Sequence, residues 1–301
     1  MSTGGGNSTG SIYNHNWYAE PNFNDCDFDH SGSIDIYDLD IFADGWLLTG
    51  YAAYTADLAR HNNVNSWDYA IWAGYWLAGG CVNLASSCVG HWKMNDNAAS
   101  QMVIDSSGNG RDGTAQQNTN VLHTTGKIEG ALTFNGSSDY INVGSVIGTD
   151  AYTKVAWVKR DAGNYYNNIV SSGDVWSHVI YAPYTQSFKL SAGHVDPYNQ
   201  VQDPNPIDVN VWYFVAVTFD PNVSSGRMVL YKNDVKVSEA NNVPTQHASM
   251  MTYIGRFVSG YGTKGAIDNV MIFNRALTAE EIATLYNGGS GTEIIPSGGD
   301  P

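Results

Sequence analysis

The sequence predicts a mainly β protein, an antiparallel β-sandwich preceded by a small α-helical unit of paired loop–helix repeats. Two observations carry this. From residue 89 onward, apolar residues come in short runs of period two, separated by Gly, Asn, Asp and Ser. Many short strands punctuated by turn residues are the pattern of an antiparallel sandwich. Between residues 25 and 80 the chain instead repeats itself at an offset of 30 residues. Asp27 matches Asp57, Asp38 matches Asp68, Ile41 matches Ile71, and Trp46-Leu47 matches Trp76-Leu77. Identities that accumulate at one offset mark a duplicated structural unit.

Taken in order, residues 1–20 begin MSTGGGNSTGS and read as a flexible linker, without the charged and apolar regions of a secretory leader. Residues 21–82 form the duplicated unit. Leu39, Phe42 and Trp46 fall at helical spacing, as do Tyr69, Trp72 and Trp76. Neither helix buries its stripe alone, so the two are expected to pack face to face. Residues 89–287 form the sandwich. Strands are expected at 91–94, 131–134, 140–143, 154–158, 177–181, 188–191, 212–219, 228–232, 235–238, 252–255 and 266–273. One helix should follow: Thr278 and Glu281 have capping-box spacing, and Ile282, Leu285 and Tyr286 supply an apolar face. Residues 288–301 form a second Gly/Ser-rich tail, whose Ile294–Ile295 could anchor strand addition to a neighbouring subunit.

Charge narrows the function classes. The 301 residues hold 29 acids against 14 Lys and Arg, a formal net charge of −15. No basic surface is available to replace counterions on nucleic-acid phosphates or to hold anionic lipid. No apolar run reaches the length of a membrane helix. The acids crowd the N-terminal part, where residues 1–89 carry ten and a single base, Arg60. Only six of the acids are Glu. An Asp-, Asn-, Gly- and Tyr-rich chain with few Lys reads as extracellular and rich in oxygen ligands.

The first repeat loop runs from Asp27 to Asp38. Asp27, Asp29, Ser31, Asp35 and Asp38 place oxygens at loop positions 1, 3, 5, 9 and 12, Ser33 offers its carbonyl at position 7, and Gly32 permits the turn at position 6. Calcium takes six to eight oxygens, and this spacing supplies them from one short segment. The second loop keeps Asp57, Asn63, Asn65 and Asp68 but has Ala59 at position 3 and Asn62 at position 6. It is the weaker calcium candidate, and a metal-free structural copy is its alternative.

The Asp at position 12, the pairing of the loops and the Trp-Leu that follows each of them resemble dockerin modules. That resemblance implies a secreted, calcium-folded unit that docks onto a cohesin. Here the positions expected to face a cohesin hold Ile36-Tyr37 and Ser66-Trp67 rather than small hydroxyl pairs, which puts cohesin binding in doubt. Because dockerin repeats bring their ends together, the resemblance also suggests a disulfide clasp from Cys26 to Cys81 or Cys88. A short Cys81–Cys88 loop and three free thiols remain open.

Residues 89–287 resemble the bacterial laminin-G-like, concanavalin-like jelly-roll family. The resemblance rests on VGHWKMND (89–96), DSSGNGRDG (105–113), GALTFNGSSDYI (130–141), WYFVAVTFD (212–220) and GAIDNVMIFNRALTAEEIATLY (265–286), in that order. It implies a non-catalytic domain that binds glycans or proteins and often holds a structural calcium. Asp105 and Asp268 are the candidate ligands, with Asp96 and Asn109 as neighbours. For Asp105, ahead of Ser-Ser-Gly-Asn, a turn cap is the competing role.

Catalysis is not expected. Glucanases on this architecture need paired carboxylates across the sugar bond, and no predicted strand carries two Glu. Sugar binding needs aromatic faces with polar groups for the hydroxyls. One stretch concentrates both: Asp174, Trp176, His178, Tyr181, Tyr184, His194, Asp196 and Tyr198, with Tyr261 in another loop. The expected function is therefore glycan binding or adhesion at a cell surface or matrix. A self-assembling fibre or sheath subunit and a scaffold-docked accessory of a polysaccharide-degrading complex are the alternatives.

Overall fold

A computed structural model describes residues 84–294 apart from 248–250 and 259. Both Asp-rich loops, from Asp27 to Asp38 and from Asp57 to Asp68, lie outside the described residues, as do their helices, Cys26 and Cys81.

The described residues form three short helices, α1 (Leu84–Ser87), α2 (Thr119–Leu122) and α3 (Ala279–Tyr286), and a succession of strands. The strands are β1 (Cys88–Trp92), β2 (Met102–Val103), β3 (Gly113–Ala115), β4 (His123–Thr125), β5 (Gly130–Asn135), β6 (Ile141–Asn142), β7 (Tyr152–Arg160) and β8 (Val170–Ser172). They continue as β9 (Val179–Tyr181), β10 (Lys189–Gly193), β11 (Val201–Pro206), β12 (Tyr213–Asp220), β13 (Arg227–Lys232), β14 (Val235–Ala240), β15 (Thr252–Ile254) and β16 (Lys264–Phe273). One sheet has the order β14-β13-β12-β7-β16-β5-β4, with β1 also paired to β16. A second runs β2-β3-β6-β15-β8, and a third runs β11-β10-β9. Every pairing is antiparallel. The mainly β, antiparallel sandwich expected from the sequence is what the described residues form.

The alternation of side chains along each strand explains why the central sheet is apolar on both faces. On β7, Tyr152, Ala156 and Val158 join the main core, while Val155 and Trp157 join a second cluster. On β12, Val215, Val217 and Phe219 face the main core, and Phe214 and Ala216 face the other way. The main core also takes Ile141, Ile169, Val170 and Ile254 from the second sheet and Leu190, Ala192 and Val201 from the third, so it fills the sandwich interior. The second cluster is closed by Leu277, Ile282 and Leu285, the apolar face of α3. That helix starts as expected: the Thr278 hydroxyl accepts from the Glu281 N–H at 3.3 Å, and the Glu281 carboxylate accepts from the Thr278 N–H at 2.7 Å. Arg275 grips the same carboxylate with two bonds of 2.7 and 2.6 Å.

Several features of the structure were not expected from the sequence. Strands β2, β3, β4 and β8 are two or three residues long, too short for a period to register. β11 contains Pro204 and Pro206, which argue against a strand from sequence. It lies at the edge of its sheet, where a missing N–H is tolerated. Ile295 lies outside the described residues, and Ile294 packs against the chain's own second cluster. Glu293 beside it pairs with Lys93 at 2.5 Å, so this part of the tail is tied to its own sandwich. Cys88 is a buried free thiol on β1 whose Sγ approaches the Gly90 carbonyl at 3.5 Å, so the clasp to Cys88 is not formed.

Candidate functional site

The described residues form a cavity of about 500 Å3 beside the three-stranded sheet. Five connecting segments enclose it: the one before β8 and the β8–β9, β9–β10, β10–β11 and β15–β16 loops. Its base is a small apolar cluster of Val179, Tyr181 and Phe257, packed apart from the main core, with Tyr198 and Val258 against it. Val179 and Tyr181 face this cluster while Ile180 between them enters the sandwich interior. The period of two thus aims alternate residues of β9 at the cavity and at the core.

The rim is aromatic. Trp176 is 51% exposed and Tyr261 38% exposed, both lining the cavity. Tyr166 meets Tyr261 edge-on at 4.4 Å, and Tyr198 meets Phe257 edge-on at 5.3 Å. These rings are held in place by polar bonds. The Trp176 N–H donates to the Tyr198 hydroxyl at 3.1 Å, joining two loops. The Tyr181 hydroxyl donates to the Pro197 carbonyl at 3.0 Å and accepts from Gln186 at 3.2 Å. Burial pushes the Tyr181 hydroxyl up to about 12, so it stays a donor at ordinary pH. Asn168 donates to the Tyr261 carbonyl at 2.9 Å and fixes the last loop.

Two rim residues sit in the left-handed region, Trp176 at φ 65° and Tyr198 at φ 59°. Bulky side chains adopt that backbone at a cost on the order of 1–3 kcal/mol each, and such outliers cluster at binding and catalytic sites. Here the strain turns one indole out to solvent and one phenol across the cavity mouth.

The sequence-predicted aromatic stretch is therefore divided. Trp176, Tyr181, Asp196, Tyr198 and Tyr261 line the cavity. Asp174 does not line it and spends one oxygen on the N–H of the lining residue Val175 at 2.8 Å. Tyr184 packs edge-on against Tyr166 at 5.4 Å instead of lining the space. His178 and His194 correct the expectation: they are 1% and 0% exposed and turn into the sandwich. His178 precedes β9 and His194 follows β10, so the strand alternation carries both inward. There His194 Nε2 meets the Tyr152 hydroxyl at 2.8 Å, and Nδ1 meets the Pro244 carbonyl at 2.7 Å. A carbonyl only accepts, so Nδ1 carries the proton and Nε2 accepts from the tyrosine. Lys154 is wholly buried beside them, donating to the Val170 carbonyl at 3.0 Å and meeting His178 Nδ1 at 3.4 Å. Burial lowers the pKa of His178, His194 and Lys154 alike, His194 to about 4. Sequence reasoning missed Tyr166, Phe257 and Gln186. The available signal was an aromatic pair, Tyr165-Tyr166, in an otherwise polar loop.

The residues expected to hold calcium in the sandwich make the following bonds. Asp105 accepts from the N–H groups of His91, Ser107 and Arg111 at 2.9–3.0 Å. Burial opposes its charge, but these donors outweigh it and hold its carboxyl below the usual range. It is a turn cap. Asp96 accepts from the Ile104 N–H at 3.1 Å, and Asn109 donates to the Cys88 carbonyl at 2.8 Å. Asp268, wholly buried on β16, uses one oxygen on the N–H groups of Lys127 and Ile128 at 2.7 and 2.8 Å. Its other oxygen is bare, and burial pushes the carboxyl up to about 7. Among the described residues, no three His, Cys, Asp or Glu are grouped so as to hold a metal ion.

Residues 135–283 match the model of the concanavalin A-like lectin/glucanases superfamily. No curated protein matches the chain in sequence. Solved structures share the fold at low identity. Domain 4 of AbnA, a GH43 extracellular arabinanase from Geobacillus stearothermophilus, in complex with arabinotriose, is 22% identical with a TM-score of 0.52. That match covers 66% of this chain and 97% of that domain. A mutant Trypanosoma rangeli sialidase displaying trans-sialidase activity is 15% identical with a TM-score of 0.54, covering 71% of this chain and 35% of the sialidase. The binding domain of Paraclostridial Mosquitocidal Protein 1 is 16% identical with a TM-score of 0.51, covering 68% of this chain and 53% of that chain. The chain thus spans about a third of the sialidase and about half of the mosquitocidal protein's binding domain. The described domain has a concanavalin-like jelly-roll fold, and no helix among the described residues is long and apolar enough to cross a membrane.

Proposed function

We propose that the sandwich is a non-catalytic glycan-binding module and that the aromatic cavity is its binding site. The observation that carries this reading is the solvent-facing Trp176 set against Tyr198 and Tyr261 around one cavity. Sugar rings present C–H faces that pack on aromatic rings, and a few polar groups at the rim orient the hydroxyls. Tyr166, Asn168, Gln186 and Asp196 supply such groups. The arabinanase domain bound to arabinotriose gives an instance of this fold holding a sugar. The Asp-rich, Lys-poor composition supports a place outside the cell, and recovery of the native protein from the cytosol would overturn that part.

Non-catalytic action is supported by where the Glu residues stand. Among the described residues Glu129 is bonded to Asn95, Glu239 to Arg227 and Lys236, Glu281 to Arg275, and Glu293 to Lys93. None of them lines the cavity.

Isothermal titration against a panel of soluble oligosaccharides tests both statements. Trp176→Ala should weaken binding by about 1–3 kcal/mol, the range for one aromatic stacking platform measured with nucleic-acid bases. Retention of full affinity by Trp176→Ala would overturn the site. Release of reducing ends that stops on Asp174→Asn or Asp196→Asn would overturn the non-catalytic reading.

A further inference from the structure

We infer that the cavity selects sugars that bear a cationic amine, hexosamine units with a free amino group, over neutral and acidic ones. The inference rests on the glycan reading of the same cavity and adds the ligand's charge. No Lys, Arg or His lines the space. The bases nearest in sequence are committed elsewhere. Arg256, next to Phe257, lies over the rings of Tyr140 and Tyr253 at 4.0 and 5.1 Å, and Lys264 lies over Tyr165 at 5.4 Å. His178 and His194 are in the core. Lys154, behind β8, is wholly buried, and burial disfavours its charged form. A uronate or a sialylated sugar would therefore lose its hydration without gaining a partner, which is unfavourable.

For a cation the balance reverses. Asp196 lines the rim, and among the described residues its exposed carboxylate has no hydrogen-bond or ion-pair partner. Its charge and that of Asp174 both act on the Tyr198 hydroxyl and raise its pKa, after burial. Trp176, Tyr198, Phe257 and Tyr261 line the same cavity, and an ammonium over the face of such a ring is attracted by the ring quadrupole. An aromatic enclosure with an unpaired carboxylate and no base is the arrangement that recognises an organic ammonium. A hexosamine amine meets it while the pyranose C–H face packs on Trp176.

The test is titration of the full chain with three oligomers of equal length: a β-1,4-glucosamine oligomer, its N-acetylated twin and an oligouronate. The glucosamine oligomer should bind roughly tenfold more tightly than its acetylated twin, the combined yield of one cation–π contact and one exposed ion pair. The oligouronate should not bind. Asp196→Asn should lower glucosamine-oligomer affinity roughly three- to fivefold and leave acetylated-oligomer affinity unchanged. Trp176→Ala should weaken both. If the acetylated oligomer or the oligouronate binds as well as the amine and depends on Trp176, the inference fails while the glycan reading stands. Amine binding that is insensitive to Trp176→Ala would be attraction to the acidic surface, and it would overturn the inference. If no sugar binds at all, both fall together.

Discussion

Replacing His194 with Gln should flatten the acid side of the stability curve by about 3 kcal/mol between pH 6.5 and pH 4. Burial lowers the imidazole from its ordinary 6.5 to about 4, a gap that corresponds to roughly 3 kcal/mol. The direction follows from proton counting. Between those two values the unfolded chain binds a proton at His194 and the folded chain does not. Stability is therefore fully present above about 6.5 and is lost as pH falls toward about 4. Gln does not titrate, yet it can still accept from the Tyr152 hydroxyl and donate to the Pro244 carbonyl, the two bonds that His194 makes. His178 and Lys154 remain in both proteins. So does Asp268, whose carboxyl, pushed up to about 7 by burial, gives the opposite slope. The contribution of Asp268 cancels in the comparison, and that of His178, which feels a charge on His194, cancels apart from this mutual repulsion. Urea unfolding of both proteins at several pH values reads the result: the wild type should fall toward the variant, or below it, as pH drops. Parallel curves from pH 7 to pH 4 would show that His194 is not the buried neutral imidazole described above.

The same residue shows where the sequence was legible. The strands with long alternating runs, β7, β12, β13 and β16, and the capped helix α3 could be placed from sequence because period and cap are local properties. What a lone residue beside a strand does is not local. His178 and His194 fell in an aromatic stretch and suggested sugar contacts, yet a shift of one residue along a strand exchanges core for surface. Trp176 and Tyr198 were recognisable, since bulky rings in Gly- and Asp-rich loops seldom serve the core. Tyr166 and Phe257 come to the same cavity from loops 91 residues apart in sequence, a closeness that only the pairing of β15 with β8 and β6 provides. Asp105 read equally as cap and as metal ligand, because both roles use a carboxylate beside a turn. The three N–H groups around it decide for the cap.

Lys232→Met should destabilise the domain by about 3 kcal/mol, and it should reach the cavity without touching it. Lys232 ends β13 and pairs with Asp203 of β11 at 2.5 Å. The Asp203 side chain is 1% exposed and that of Lys232 15%. Removing one partner of a buried pair leaves the other charge without compensation, at a cost of about 3–5 kcal/mol, and the slight exposure of Lys232 argues for the lower end. Asp203 keeps only the Asn205 N–H at 2.8 Å. Because β11 is an edge strand joined to its sheet through β10 alone, the loss should fall first on β11 and on the 194–200 loop that carries Asp196 and Tyr198. Hydrogen exchange should therefore speed up in residues 194–206 before it does in β7 or β12, and sugar affinity should weaken together with it. A second variant separates the charge from the packing. Lys232→Met combined with Asp203→Leu removes the stranded carboxylate and should recover most of the lost stability, since apolar replacements of a buried pair are often neutral or better. If the single variant costs less than about 1 kcal/mol, the pair behaves as an ordinary surface contact. If the double variant is weaker than the single, β11 is held by something other than this ion pair.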